Sequence, residues 1–220
     1  MKKNTMMRLA SALLVVVLLT TCAISGTFAK YTSTTTVTDS ARVAYWGWGK
    51  TAQLNFDLFS TEYDAAGGTV KSADTDNVIA PGTSQETAFT FAYVANTNDS
   101  VAAPEVDYIF DVAVTITGTT TKLDANPSFV WTLDGTEYDT VADLKAAIEA
   151  LEVNANPVDG KAANYYKNGT LPAGFGASSQ HTVGWAWEFE GQDALDTELG
   201  NMDPLENVAI TITVTATQQD

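Results

Sequence analysis

The chain has 220 residues, with 27 acidic against 11 basic side chains and a formal net charge of −16. That balance disfavours nucleic acid and anionic membrane as partners. One cysteine, Cys22, and one histidine, His181, exclude a disulfide framework and any two-histidine metal centre within a single chain.

Lys2, Lys3 and Arg8 lead into an apolar run from Leu9 to Leu19, which closes on Gly26-Thr27-Phe28-Ala29. A basic start, a short apolar stretch and small residues at a cleavage site predict a secretory signal peptide over residues 1–29. Cleavage after Ala29, with Thr27 at −3, makes Lys30 the new N-terminus. Cys22 follows Thr21 where a lipoprotein signal prefers Gly, Ala or Ser, so acylation fits it poorly. The leader holds three of the basic residues and none of the acidic ones, so its loss takes the charge from −16 to −19. Such a surface favours solubility and self-repulsion, which divalent cations or cationic polymers relieve. No second long apolar segment follows, and no sortase-type tail is visible. The remainder fits one domain of about 190 residues, enough to bury a sizeable core.

Residues 30–40 are rich in threonine and serine (Thr32, Ser33, Thr34, Thr35, Thr36, Thr38, Ser40). They are β-prone but lack an apolar face, so by themselves they read as a mobile arm. A sheet edge offered by a partner would turn them into a strand.

From Arg42 onward the apolar period is two, the mark of strands with one buried face. Leu54, Phe56 and Leu58 form one such set. Phe89, Phe91 and Tyr93 form the next, after the turn signal Ala80-Pro81-Gly82-Thr83. Val106, Tyr108, Phe110, Val112, Val114 and Ile116 alternate through residues 105–117. Phe129, Trp131 and Leu133 run into Asp134-Gly135, a two-residue hairpin signal, with Thr136-Glu137-Tyr138 returning. Val183, Trp185, Trp187 and Phe189 alternate, and so do Val208, Ile210, Ile212 and Val214, with Thr211, Thr213, Thr215 and Thr217 on the other face. Helical spacing occurs once, in Val141, Leu144, Ile148 and Leu151. Thr140 and Asp143 supply an acidic variant of the capping box, predicting a helix over about 140–151. Residues 154–180 read as loop, and 193–200 as a short helical turn. Many short strands with one inserted helix predict an antiparallel β-sandwich over residues 41–220.

Motifs for chemistry are sparse. There is no His-Glu-x-x-His and no Gly-x-Ser-x-Gly elbow, and a triad built on His181 would have only Ser178 and Ser179 beside it in a loop. Asp74-Thr75-Asp76-Asn77 and Asn96-Thr97-Asn98-Asp99 group oxygen ligands without the calcium-loop pattern, and these are also ordinary turn residues. Trp46 with Trp48, and Trp185 with Trp187, stand two apart on one strand face. Exposed, each pair stacks on sugar rings; buried, it supplies core volume. The expectation is no catalytic residue, no metal and no cofactor.

Gly26-Thr27-Phe28-Ala29-Lys30-Tyr31-Thr32, followed by Asp39-Ser40-Ala41-Arg42-Val43-Ala44, resembles the signal-peptide class processed by SipW-type signal peptidases of Gram-positive bacteria. Together with Asp196-Thr197-Glu198-Leu199-Gly200-Asn201 and the C-terminal run Ile210–Asp220, it is similar to the TasA/camelysin (CalY) family of secreted biofilm-matrix fibre proteins. The resemblance implies a jelly-roll form of the sandwich and an extracellular, non-enzymatic fibre subunit. It implies SipW-type processing, self-association, contact with other matrix proteins or polysaccharide, and no membrane after processing. It also implies assembly by strand donation. Residues 30–40 would insert into the next subunit, with Tyr31, Ser33, Thr35 and Val37 on one face and Thr32, Thr34, Thr36 and Thr38 on the other. The metalloprotease-like activity described for the camelysin branch has no recognisable zinc site here. The competing expectations are a monomeric secreted polysaccharide-binding module using surface tryptophans and, behind it, a camelysin-like protease.

Overall fold

The computed structural model describes residues 3–24, 41–48, 57–89, 93–96, 98, 100–175 and 180–219. They belong to two compact units, Met1–Arg42 and Val43–Asp220. In the first unit, α1 (Lys3–Ile24) carries the apolar run, rich in Leu, Val and Ala without a glycine or proline to break it. Ser11 and Thr20 return their hydroxyls to the carbonyls of Met7 and Val16, which satisfies both polar groups within the helix. Among the described residues no helix is long and apolar enough to cross a membrane. The expected cleavage residues Thr27, Ala29 and Lys30 and the arm residues Tyr31, Ser33, Thr35 and Val37 lie outside the described residues.

The second unit is antiparallel and β-rich. Its described strands are β1 (Glu62–Ala65), β2 (Gly68–Lys71), β3 (Ser84–Phe89), β4 (Tyr108–Thr119), β5 (Phe129–Leu133), β6 (Thr136–Tyr138), β7 (Tyr165–Tyr166), β8 (His181–Trp187) and β9 (Asn207–Gln218). They form a hairpin β1-β2, a four-stranded sheet β3-β8-β5-β6 and a three-stranded sheet β7-β4-β9. Every pairing is antiparallel. The alternation read from sequence fills the core from both larger sheets. Tyr108, Phe110, Val112 and Val114 of β4 are buried in one cluster with Phe129, Trp131 and Leu133 of β5 and Val183, Trp185 and Trp187 of β8. Phe175 joins the sheets, its ring centroid 4.7 Å from Phe110 and 5.9 Å from Phe89. Each buried aromatic of this kind contributes roughly 1.5–3 kcal/mol of transfer free energy.

Two helices decorate the sheets. α2 (Val141–Glu149) begins where expected: the Thr140 hydroxyl accepts from the Asp143 N–H at 3.1 Å, and Val141, Leu144 and Ile148 are buried. The box is not reciprocal, because Asp143 bonds the Thr140 hydroxyl rather than the cap's own N–H. A 3₁₀ turn, Ala150–Glu152, extends the helix to the expected end. α3 (Asp193–Gly200) is a full eight-residue helix where only a turn was expected. The Asp196 carboxylate ties it to the core, accepting from Asn126 Nδ2 at 2.7 Å and Trp187 Nε1 at 3.0 Å.

Several expected strands differ. Trp46 and Trp48 sit in an irregular segment, not a strand; the Tyr45 N–H bonds the Glu105 carboxylate and the Glu105 N–H bonds the Tyr45 carbonyl. β3 is described as far as Phe89, and Tyr93 is buried in irregular backbone, its N–H bonding the Phe175 carbonyl. Phe91, Leu54 and Phe56 lie outside the described residues, while Leu58 is buried in irregular chain. The strand expected through Phe189 stops at Trp187, leaving Phe189 exposed. β1, β2 and β7 were not expected. Tyr63 is the one deeply buried residue of the first hairpin, too little for an alternation to show.

Candidate functional site

His181 opens β8 with only 8% of its surface exposed. Its Nδ1 lies 2.7 Å from the Asp134 carboxylate and its Nε2 lies 3.3 Å from the Ala173 carbonyl. Asp134 is the first tip residue of the β5–β6 hairpin, in the left-handed region at φ 50°, and Gly135 follows at φ 75°, as a type I′ turn requires. The other Asp134 oxygen accepts from the Thr182 N–H at 2.8 Å. Gly174, at φ +77°, lets its loop close over the imidazole: a Cβ there would stand 2.0 Å from Nε2. Both ring nitrogens are therefore engaged, and the residue pins a hairpin tip to a loop. Ser178 and Ser179 lie outside the described residues.

The first oxygen-rich loop is a turn. Asp74 Oδ1 accepts from the Asp76 N–H and from the Ser72 hydroxyl, both at 2.9 Å, and these bonds hold its carboxyl below the ordinary value. In the second, Asn96 Oδ1 accepts from the Asn98 N–H at 3.2 Å, and Asn96 bridges Val101. Among the described residues no group of three His, Cys, Asp or Glu side chains is placed to hold a metal ion.

The tryptophans supply core volume. Trp131 and Trp185 are at most 1% exposed, Trp48 and Trp187 are 6% exposed, and Trp46 is half-buried with its ring edge-on to Tyr108. The Trp131 and Trp185 indole N–H groups are bonded to Asp124 and to the Leu58 carbonyl. Neither pair forms an open platform for a sugar.

What the second unit presents instead is backbone. The Gln219 N–H bonds the Asp107 carbonyl at 2.8 Å, so the odd-numbered residues of the β4–β9 ladder bond each other. Even-numbered residues then aim their N–H and C=O groups away from the ladder on both sides. On the β4 side those groups are occupied over the first half of the strand, from Tyr108 to Val114. The Phe110 N–H bonds the Asn164 carbonyl at 3.0 Å, the Val112 N–H bonds the Glu152 carboxylate at 3.0 Å, and the Val114 N–H bonds the Glu149 carboxylate at 3.1 Å. Lys145 donates to the Val114 carbonyl and pairs with Glu149. That pairing, and then the Val114 N–H, hold the Glu149 carboxyl below its ordinary value. On the β9 side, among the described residues, no hydrogen bond reaches the outward groups of Val208, Ile210, Ile212, Val214 or Ala216.

Neither edge was read from the sequence. The signal for the capped one was faint: Glu149 and Glu152 crowd the end of α2, where the helix dipole disfavours carboxylates and an outside partner is expected. No family model, no curated protein and no solved structure matches this chain.

Proposed function

We propose that the chain is a secreted, non-enzymatic structural protein, a fibre subunit of an extracellular biofilm matrix that assembles head-to-tail by donating its N-terminal strand. One observation carries the reading. Among the described residues nothing bonds the outward backbone groups of β9, a twelve-residue strand, so the body offers an edge on which a further strand can be built. Residues 30–40, β-prone and next to the expected cleavage site, are the strand such an edge would take from a neighbour. Burial of the tryptophans weakens the alternative of a polysaccharide-binding module. The engagement of both nitrogens of His181 weakens the protease alternative.

Within this reading the body is a jelly roll, a SipW-type peptidase exposes Lys30, and the partner is a second copy of the chain. The contact is heterologous, so it propagates instead of closing. The test is electron microscopy of the mature chain, residues 30–220, beside the same chain lacking residues 30–38. Filaments from the first and dispersed particles from the second are expected. Filaments from both would end the strand-donation reading. Intact-mass analysis of the secreted protein checks the predicted start at Lys30.

A further inference from the structure

We propose that the free edge of β9 is the acceptor, and that its occupant is the Tyr31–Ser40 segment of a second copy of the chain. The inference rests on the strand-donation reading above and gives it an address.

The edges of this molecule are not equivalent. β4 has its outward groups at Phe110, Val112 and Val114 occupied by Asn164, Glu152 and Glu149, with Lys145 closing the same side. In the four-stranded sheet the edges among the described residues are β6, three residues long, and β3, described over six residues and carrying Glu86. β1 and β2 have four residues each and carry Glu62, Asp64 and Lys71. β9 has twelve residues, Asn207–Gln218, in unbroken one-to-one register with β4, without a charge, a proline or a bulge. Soluble proteins protect exposed edges with those very devices, because a bare edge is a template for another strand. Here one side of a single sheet is guarded over Phe110–Val114, and among the described residues nothing bonds the other.

The occupant is argued from length, charge and side-chain pattern. Tyr31–Ser40 has ten residues and one charge, Asp39, against twelve uncharged residues on the edge. The chain is strongly acidic, so two copies meet at lowest electrostatic cost along an uncharged strand. Thr32, Thr34, Thr36 and Thr38 would continue the outer face made by Thr211, Thr213, Thr215 and Thr217, giving cross-strand threonine pairs. The start of the edge borders a cleft of about 550 Å³ whose walls include Leu58, Phe59, Ile79, Val208 and Ile210. Either end of the donated inner face, Tyr31 or Val37, brings a side chain suited to that cleft. Asp57, Leu58 and Phe59 line the cleft without a hydrogen bond to β9.

Cysteine pairing tests the address, because the mature chain has no cysteine of its own. Mature Thr36→Cys protein, whose substituted position lies on the donated outer face, is mixed with Thr211→Cys, Thr213→Cys or Thr215→Cys protein under filament-forming conditions. A disulfide joining two different chains is expected with at least one β9 position, and none with Glu86→Cys on β3, since bonding needs Cβ atoms about 3.8 Å apart. Ala216→Pro removes an N–H aimed at the free edge while sparing the β4 ladder. It is expected to abolish filaments with little change in unfolding midpoint. Should that variant fail to fold, the cross-links decide. The proposal is overturned by links to β3 instead, or by Thr213→Cys proteins linking to each other. A link within one chain, from Thr36→Cys or Asn55→Cys to Thr213→Cys, overturns it too. Filaments that need residues 30–38 but never link to β9 refute this acceptor alone. Failure of the unsubstituted mature chain to form filaments refutes acceptor and strand donation together.

Discussion

Tyr93 shows how a residue can be placed for volume at the expense of its polar atom. Its ring sits within 6.1 Å of Tyr45 and 5.6 Å of Trp48, while its buried hydroxyl has no hydrogen-bond partner. Burial, and then the neighbouring Tyr45 and Glu105, push that hydroxyl up to about 12. A buried donor left without a partner costs roughly 1–3 kcal/mol, so deleting it while keeping the ring removes a penalty. Tyr93→Phe is therefore expected to hold or raise the midpoint of urea unfolding; a clear fall would show that the hydroxyl has a partner. His181 is the opposite case, with a polar partner at each ring nitrogen. From sequence its engagement was open, because Asp134 and Ala173 are 47 and 8 residues away from it.

At the scale of elements, legibility followed the range of the interactions. α2 was legible because its cap and its buried stripe lie within a dozen residues of one another. β4 and β9 were legible because alternation is written along a single strand. The β5–β6 turn was legible because Asp-Gly suits two successive left-handed residues. The β1–β2 hairpin gave no pattern, with only Tyr63 deeply buried, and the carboxylate clasp of α2 on β4 joins residues 35 and 40 positions apart. That clasp gives a pH prediction. Lys145 and the Val114 N–H favour ionised Glu149, so its folded value lies below its unfolded one. The contribution is present above the ordinary carboxyl range and is lost as pH falls through the lowered value. Asp107, held down by the Tyr165 hydroxyl and the Asn168 N–H, acts in the same direction. Thermal unfolding followed from neutral to acid pH should show a falling midpoint. Glu149→Gln should be less stable at neutral pH and lose less on acidification; an unchanged acid slope would remove Glu149 from the account.

For the whole molecule, charge and topology act on different steps. A net charge of −16, or −19 without the leader, makes copies repel before any edge is reached. Raising ionic strength from roughly 0.01 M to 0.1 M shortens the screening length from about 30 Å to about 10 Å. Assembly followed by light scattering should accelerate across that range, and a rate independent of salt would deny the repulsion a role. The β4–β9 ladder has a different consequence, one of timing. Thr119 pairs with Asn207 and Tyr108 with Gln218, so the chain must close loops of roughly 90 to 110 residues to form it. During synthesis or export β4 emerges long before its partner does. Among the described residues no strand nearer in the chain replaces it, since β7 covers β4 only at Tyr108 and Ile109. High contact order of this kind slows folding. The β4–β9 sheet consequently stays unformed until β9 is available, the interval that passage through an export channel would need on the proposed reading.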